Sequence, residues 1–299
     1  MVAAHIRALL DPPAPPASVE EAREFCLSLA RSHYENFTVL SRLAPRSMRR
    51  HLAVLYAYAR TVDDLGDEAP GDRLALLDRF EAELDAAFTS TPRHPVLVAL
   101  QETIARFDLP REPLARLIEA NRIDQRRGSF ATFDELLRYC EHSANPVGRL
   151  VLRLYGYRDE ERFALSDATC TGLQLANFLQ DVRRDASAGR VYLPEDEMAE
   201  YGVERAHLLA DRASVNLKDL MRFQVGRARS YFRAGLPLLD SVRGHLKIDL
   251  ALFSLGGLAI LRKIERLGYD TLSCRPTLRG PERVALAAFA LLSKRWRRI

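Results

Sequence analysis

The chain has 299 residues, 47% of them hydrophobic, which is enough to bury a sizeable core in one large domain or two ordinary ones. Lysine plus arginine (44) barely exceeds aspartate plus glutamate (40), so the net charge of +4 gives no ground for a nucleic-acid partner. Four scattered cysteines (Cys26, Cys140, Cys170, Cys274) form no zinc pattern and read as thiols of a reducing compartment, which points to a cytoplasmic protein.

No basic stretch followed by an apolar run and a small-residue cleavage site opens the sequence, so secretion is not expected. The run "DPPAPPAS" assigns residues 1–17 to a flexible, proline-rich arm. From Ser18 onward the apolar spacing is helical. Ser18 with Glu20 and Glu21 starts one helix, and a second runs from about Pro45 through Glu68, with Leu52, Leu55, Tyr56 and Ala59 at three-and-four spacing. Further helices are predicted over roughly 72–88, 94–107, 111–127, 132–155 and 159–185. After the loop "ASAGRVYLPEDE" come a short helix near 203–209, long ones near 214–242 and 245–267, and a last from about 281. With little β-branched alternation and no linker, residues 18–299 read as one all-α domain, a single-domain helical bundle.

Two helices end in paired carboxylates. "DDLGDE" (63–68) follows an apolar run, and "LQLANFLQDVRRD" (173–185) repeats the arrangement. Positions four apart are neighbours on a helix, so Asp63 with Asp67 and Asp181 with Asp185 each form a two-carboxylate face. Either pair alone reads most simply as a solvated acidic surface. The second pair, however, extends a stripe with Gln174 and Asn177 on an otherwise core-facing helix, which suggests a polar cavity inside a bundle. Carboxylate pairs in such a cavity suit magnesium, which commonly joins one or two carboxylates to substrate phosphates. Asp64 and Glu68 form a competing pair, and spacing alone does not choose between the registers. Arg60 shares the face of Asp63 and suits either a carboxylate or a phosphate; Arg190, after Gly189, suits a lid over the site or a plain surface position.

These residues resemble the head-to-head isoprenoid synthases: squalene, dehydrosqualene and phytoene synthases. The resemblance runs from about Tyr34 to Arg283 and rests on "YAYARTVDDLGDE", "YCEHSANPVG", "LQLANFLQDVRRD" with "GRVYLP", and "GYDTLSCRP". It implies an all-α isoprenoid-synthase fold with a central cavity and several Mg2+ ions between the substrate diphosphate and the metal ligands Asp63, Asp67, Asp181 and Asp185. It also implies that Arg60, Gln174, Asn177, Arg190, Tyr192 and Arg275 bind substrate, and it selects the Asp63/Asp67 register.

Two departures narrow it. Gln180 stands where many relatives carry arginine, and "CEHSANPVG" stands where many carry a sequence like "VAGTVG". With "ENFTVLS" (35–41), these features resemble bacterial hydroxysqualene synthases of hopanoid pathways. The expected reaction converts presqualene diphosphate, handed over by a sister presqualene diphosphate synthase, into hydroxysqualene without NADPH. In that reading Glu141, His142 and Asn145 orient or deprotonate the attacking water, and Phe37, Tyr56, Phe178 and Phe253 are candidates to face the cation. "SLGGLA" lies in a helical run, so its glycines serve helix packing and not a dinucleotide.

The last helix joins "VALAAFALL", about half the ~20 residues of a membrane span, to "SKRWRRI". That combination suits peripheral contact with the inner face of the cell membrane as well as a core helix with a solvated basic end. The alternatives are condensation of two prenyl diphosphates by a presqualene diphosphate, squalene or phytoene synthase, and a non-catalytic helical lipid-binding scaffold.

Overall fold

The structure, a computed structural model, describes residues 4–10, 18–32 and 44–292. The proline run, Phe37, the "ENFTVLS" segment and the basic residues 293–299 lie outside these. Every regular element among the described residues is helical, as expected; one isolated bridge joins Ser129 and Val191.

Two compact units are present, Met1–Arg126 with Arg149–Arg158, and Arg127–Gly148 with Asp159–Ile299. The first contains α1 (Ala4–Leu10), α2 (Val19–Ser32), α3 (Arg46–Asp67), α4 (Arg73–Thr89), α5 (Pro95–Phe107) and α6 (Arg111–Arg126). Local signals fix several starts. The Ser18 hydroxyl accepts from the Glu21 amide at 3.2 Å, the Asp72 carboxylate accepts from Ala75 at 3.0 Å, and Pro95 opens α5, where its missing N–H costs nothing. The core gathers Leu65, Leu77, Phe80, Leu84, Leu97, Leu100, Leu114 and Ile118, and Tyr58 enters it with its hydroxyl donating to the Leu114 carbonyl at 2.9 Å.

Within the flexible arm expected over residues 1–17, Ala4–Leu10 instead form α1, while residues 1–3 and 11–17 lie outside the described residues. Ile6 and Leu9 are buried, and the His94 ring bonds the His5 carbonyl at 3.0 Å. Seven residues are too few to hold a helix alone, so α1 exists through these tertiary contacts.

α7 (Phe133–Ser143) and α8 (Asn145–Leu154) replace the single helix predicted over 132–155. Pro146 has no N–H for the fourth carbonyl before it and sits in the first turn of α8, so the break at Ala144 falls where proline is tolerated. The unit division runs between Gly148 and Arg149 of α8, in a stretch with no compositional shift.

The second unit continues with α9 (Glu160–Ser187), α10 (Glu195–Glu200, whose first three residues fall in the predicted loop), a 3-10 turn at Arg205–Leu209, α11 (Val215–Gly235), α12 (Leu238–Ser241), α13 (Gly244–Arg266) and α14 (Gly280–Leu292). Pro237 separates α11 from α12 where one helix was predicted. α9 packs against α11 and α13. Gly257 of "SLGGLA" sits against Phe232, whose ring carbon Cζ would lie 2.2 Å from an added Cβ, so this glycine permits helix packing as expected. α13 is long and apolar enough to cross a bilayer, but half of its most apolar window is buried in the unit. It also carries Asp249, which is 1% exposed, accepts no hydrogen bond from a described residue, and is pushed up to about 7 by burial. α14 turns Val284, Phe289 and Leu291 outward.

Candidate functional site

In the first unit the end of α3 sorts its acids by depth. Asp64 is 2% exposed; one carboxylate oxygen meets His5 Nε2 at 2.5 Å and the other meets Arg60 Nη2 at 2.6 Å. Arg60 Nη2 also reaches Glu68 at 3.2 Å, while its buried Nε has no partner among the described residues. Arg60 therefore ties Asp64 to Glu68, and the guanidinium expected to contact diphosphate is engaged with that row. Asp63 and Asp67 are exposed along the adjacent row. Burial against His5 thus sets Asp64 apart from its neighbours, a difference that spacing does not reveal.

Asn121 of α6, which sequence reasoning missed, donates to Asp63 Oδ1 at 3.3 Å. Asp63 is exposed as a residue, yet desolvation of its carboxyl pushes it up to about 7; the Asn121 bond and Arg60 oppose that rise, and Asp67 adds to it. The available signal was "NRIDQ", amides four apart on an amphipathic helix.

In the second unit, α9 carries Gln174, Asn177, Asp181 and Asp185. Gln174 is half-buried and Asn177 exposed. Asp181 is buried, and Arg275 grips it with a two-pronged fork, Nη2 to Oδ2 at 2.8 Å and Nε to Oδ1. Gln180, the residue that departs from the arginine of many relatives, donates from Nε2 to the Pro276 carbonyl at 2.5 Å. It therefore ties down the backbone next to Arg275. Asp185 is half-buried.

The lid reading of Arg190 meets a tied segment. Gly189 takes φ +82°, as only glycine does cheaply, and the chain then pairs with residues 128–131: Val191 donates to the Gly128 carbonyl at 2.7 Å and Glu195 to that of Phe130 at 3.0 Å. Between these anchors Tyr192 stacks on Phe178, with ring centres 4.0 Å apart and 9° between planes. Phe130 and Tyr139 complete the aromatic group. Phe178 was a sequence candidate, whereas its partners come from segments far apart in the chain. Tyr56 and Phe253 are half-buried.

On α7, Glu141 is exposed and His142 half-buried. His142 Nδ1 lies 2.8 Å from the Arg138 carbonyl; a carbonyl only accepts, so Nδ1 carries the hydrogen and Nε2 is the acceptor of the neutral ring. Asn145 is buried, and its Oδ1 accepts from the Thr171 hydroxyl at 3.1 Å, fastening the start of α8 to α9.

The donor set suits magnesium. Among the described residues no three His, Cys, Asp or Glu side chains cluster as a closed metal cage. Paired carboxylates without a cage match an ion that keeps water and takes remaining ligands from a phosphate, and do not match structural zinc.

Residues 8–283 match the family model for squalene/phytoene synthase. The phytoene synthase of Mycobacterium tuberculosis is 33% identical over 284 residues, covering 92% of this chain and 92% of the relative. The squalene synthase HpnC from Alicyclobacillus acidocaldarius superposes with a TM-score of 0.81 at 47% identity, covering 85% of this chain and 97% of that one. A ligand-bound dehydrosqualene synthase gives 0.85 at 22% identity, covering 91% and 96%, and speaks for the fold alone. With the family model spanning nearly the whole chain and carboxylate pairs at the ends of α3 and α9, this chain belongs to the squalene/phytoene synthase family of isoprenoid-forming enzymes.

Proposed function

We propose that the chain converts presqualene diphosphate and water into hydroxysqualene and diphosphate, with magnesium and without a nicotinamide. The observation that carries the diphosphate chemistry is the sorting on α3: Asp64 is neutralised by His5 and Arg60, and Asp63 and Asp67 remain accessible. The 47% identity to a squalene synthase, against 33% to a phytoene synthase, supports a squalene-type product.

Asp63, Asp67, Asp181 and Asp185 are the proposed magnesium ligands, with Asn177 and Gln174 beside the second pair; both oxygens of Asp181 are held by Arg275 in this structure, so Asp181 would take a metal only once Arg275 turns to the diphosphate. Magnesium supplies Lewis acidity to the leaving diphosphate. Arg275 adds positive charge at the departing group, while Arg60 balances Asp64 and holds the accessible register of α3. Loss of diphosphate leaves a cyclopropylcarbinyl cation, which the rings of Phe178 and Tyr192 stabilise by about 0.5–2 kcal/mol each. After rearrangement, water attacks the allylic cation; the new C–O bond takes an oxygen lone pair, and the proton passes to His142 Nε2. Arg190 and Glu141 flank this chemistry as polar groups, and Asn145 fixes the entry to α8.

Incubation of the purified protein with presqualene diphosphate and Mg2+, without reductant, is expected to yield the alcohol, identified by mass spectrometry. Untouched presqualene diphosphate together with consumption of farnesyl diphosphate would instead establish condensation, the reading that the phytoene synthase relatives favour.

The chain is proposed to work in the cytoplasm against an anionic lipid surface. Four thiols without disulfides suit the compartment. The outward apolar residues Val284, Phe289 and Leu291 of α14, followed in sequence by Lys294, Arg295, Arg297 and Arg298, suit the lipid. Co-sedimentation with phosphatidylglycerol vesicles is expected to fall about tenfold in Phe289→Ser; equal binding to uncharged vesicles, or none, refutes the contact.

A further inference from the structure

The acidic end of α3 stops abruptly. The amides of Glu68 and Ala69 both turn back to the Asp64 carbonyl, at 2.9 Å each, and residue 70 is proline. The Gly66 carbonyl would ordinarily accept from the residue four positions on, but Pro70 has no N–H to give. Gln125 of α6 supplies the missing donor, with Nε2 2.8 Å from the Gly66 oxygen.

One turn earlier on α6, Asn121 lies against the same glycine. Its Nδ2 donates to Asp63 Oδ1 and to its own helix at the Leu117 carbonyl, each at 3.3 Å, so both amide hydrogens are directed. A Cβ on Gly66 would sit 2.1 Å from Asn121 Oδ1. The amide therefore fits only because position 66 has no side chain. Every contact in this group lies within the first unit.

We infer that Asn121 and Gln125 form a two-amide clasp on the end of α3, in which Asn121 is a positioning residue that aims the Asp63 carboxylate at magnesium and Gly66 is the notch that admits it. The carboxylate would otherwise rotate freely about its side chain, and each magnesium event would have to select one orientation. The inference rests on the magnesium–diphosphate reading of Asp63. Outer hydrogen bonds of this kind typically hold 10–100-fold of metal affinity.

The test is titration calorimetry of the full chain with Mg2+ and inorganic pyrophosphate, alongside melting temperature. Asn121→Leu keeps the shape in the notch and removes the donor; Mg2+-dependent pyrophosphate binding is expected to weaken about tenfold or more, with the melting point within ~2 °C of wild type. Gly66→Ala improves helix propensity but displaces the amide, so it is expected to weaken binding to a similar degree. The double variant Gly66→Ala/Asn121→Ala is then expected to bind no worse than Asn121→Ala, the non-additive pattern of touching residues, while melting points within ~2 °C of wild type in Asn121→Ala and the double variant separate positioning from loss of packing. Wild-type binding in Asn121→Leu, or additive losses in the double variant, overturns the clasp alone. Absence of Mg2+-dependent binding in the wild type overturns both the clasp and the magnesium reading.

Discussion

Asp63→Asn is expected to lower turnover by about 10^3-fold while shifting the melting temperature by no more than ~2 °C. The substitution keeps the shape and an oxygen for Asn121 to bond, and it removes the charge that would hold a divalent ion. It also relieves a carboxyl that its surroundings disfavour when ionised, so no stability should be lost. Steady-state kinetics with saturating Mg2+, paired with differential scanning fluorimetry, separates the two effects. Activity within tenfold of wild type would remove Asp63 from the reaction.

One residue along, Asp64→Ala is expected to do the reverse. Its two carboxylate oxygens receive His5 and Arg60 in a buried setting, and deleting the acid strands the histidine in the interior. Breaking a buried pair by removing one partner costs about 3–5 kcal/mol; Arg60 keeps Glu68 and some solvent, so about 3 kcal/mol is expected. For a chain of this size that corresponds to a fall of about 5 °C in melting temperature. A variant that melts with the wild type would show that α1 is not fastened through Asp64. If the proposed function holds, neighbouring acids in one motif divide the work, one for chemistry and one for the fold, and the measured ratio of activity loss to stability loss should invert between them.

That division marks the limit of what the sequence alone conveys. The long helices were legible because periodic apolar spacing is local information: α3 to α6, α9 and α13 fall within a few residues of their predicted bounds. α1 was not, because "AHIRALL" is shorter than a self-supporting helix and depends on His94 and Asp64, 89 and 59 residues away from His5. The carboxylate pairs were visible as spacing, yet the burial of Asp64 depended on a histidine in a segment assigned to a mobile arm. Resemblance to known enzymes pointed to the Asp63/Asp67 row, and the structure adds that these two acids are exposed while Asp64 is buried. Asn121 escaped notice because an amide in a polar helix has no distinctive pattern; its meaning comes from the glycine opposite. Tyr192 was named from its motif, but its face-to-face contact with Phe178 arises from a segment held by backbone bonds to residues 128–131.

Asp249 makes the protein a better proton acceptor when folded than when unfolded. Its carboxyl titrates near 7 inside α13, against about 3.9 for an unfolded chain, so the native state keeps a proton that the denatured state releases between those values. This group therefore subtracts nothing below about pH 4, and about 1.4 kcal/mol of stability is lost for each unit of alkalinisation until the native carboxyl has ionised near neutrality. A modest fall in the pH of the surrounding medium would strengthen the core around α13, and an alkaline one would load it with a lone, unhydrated anion.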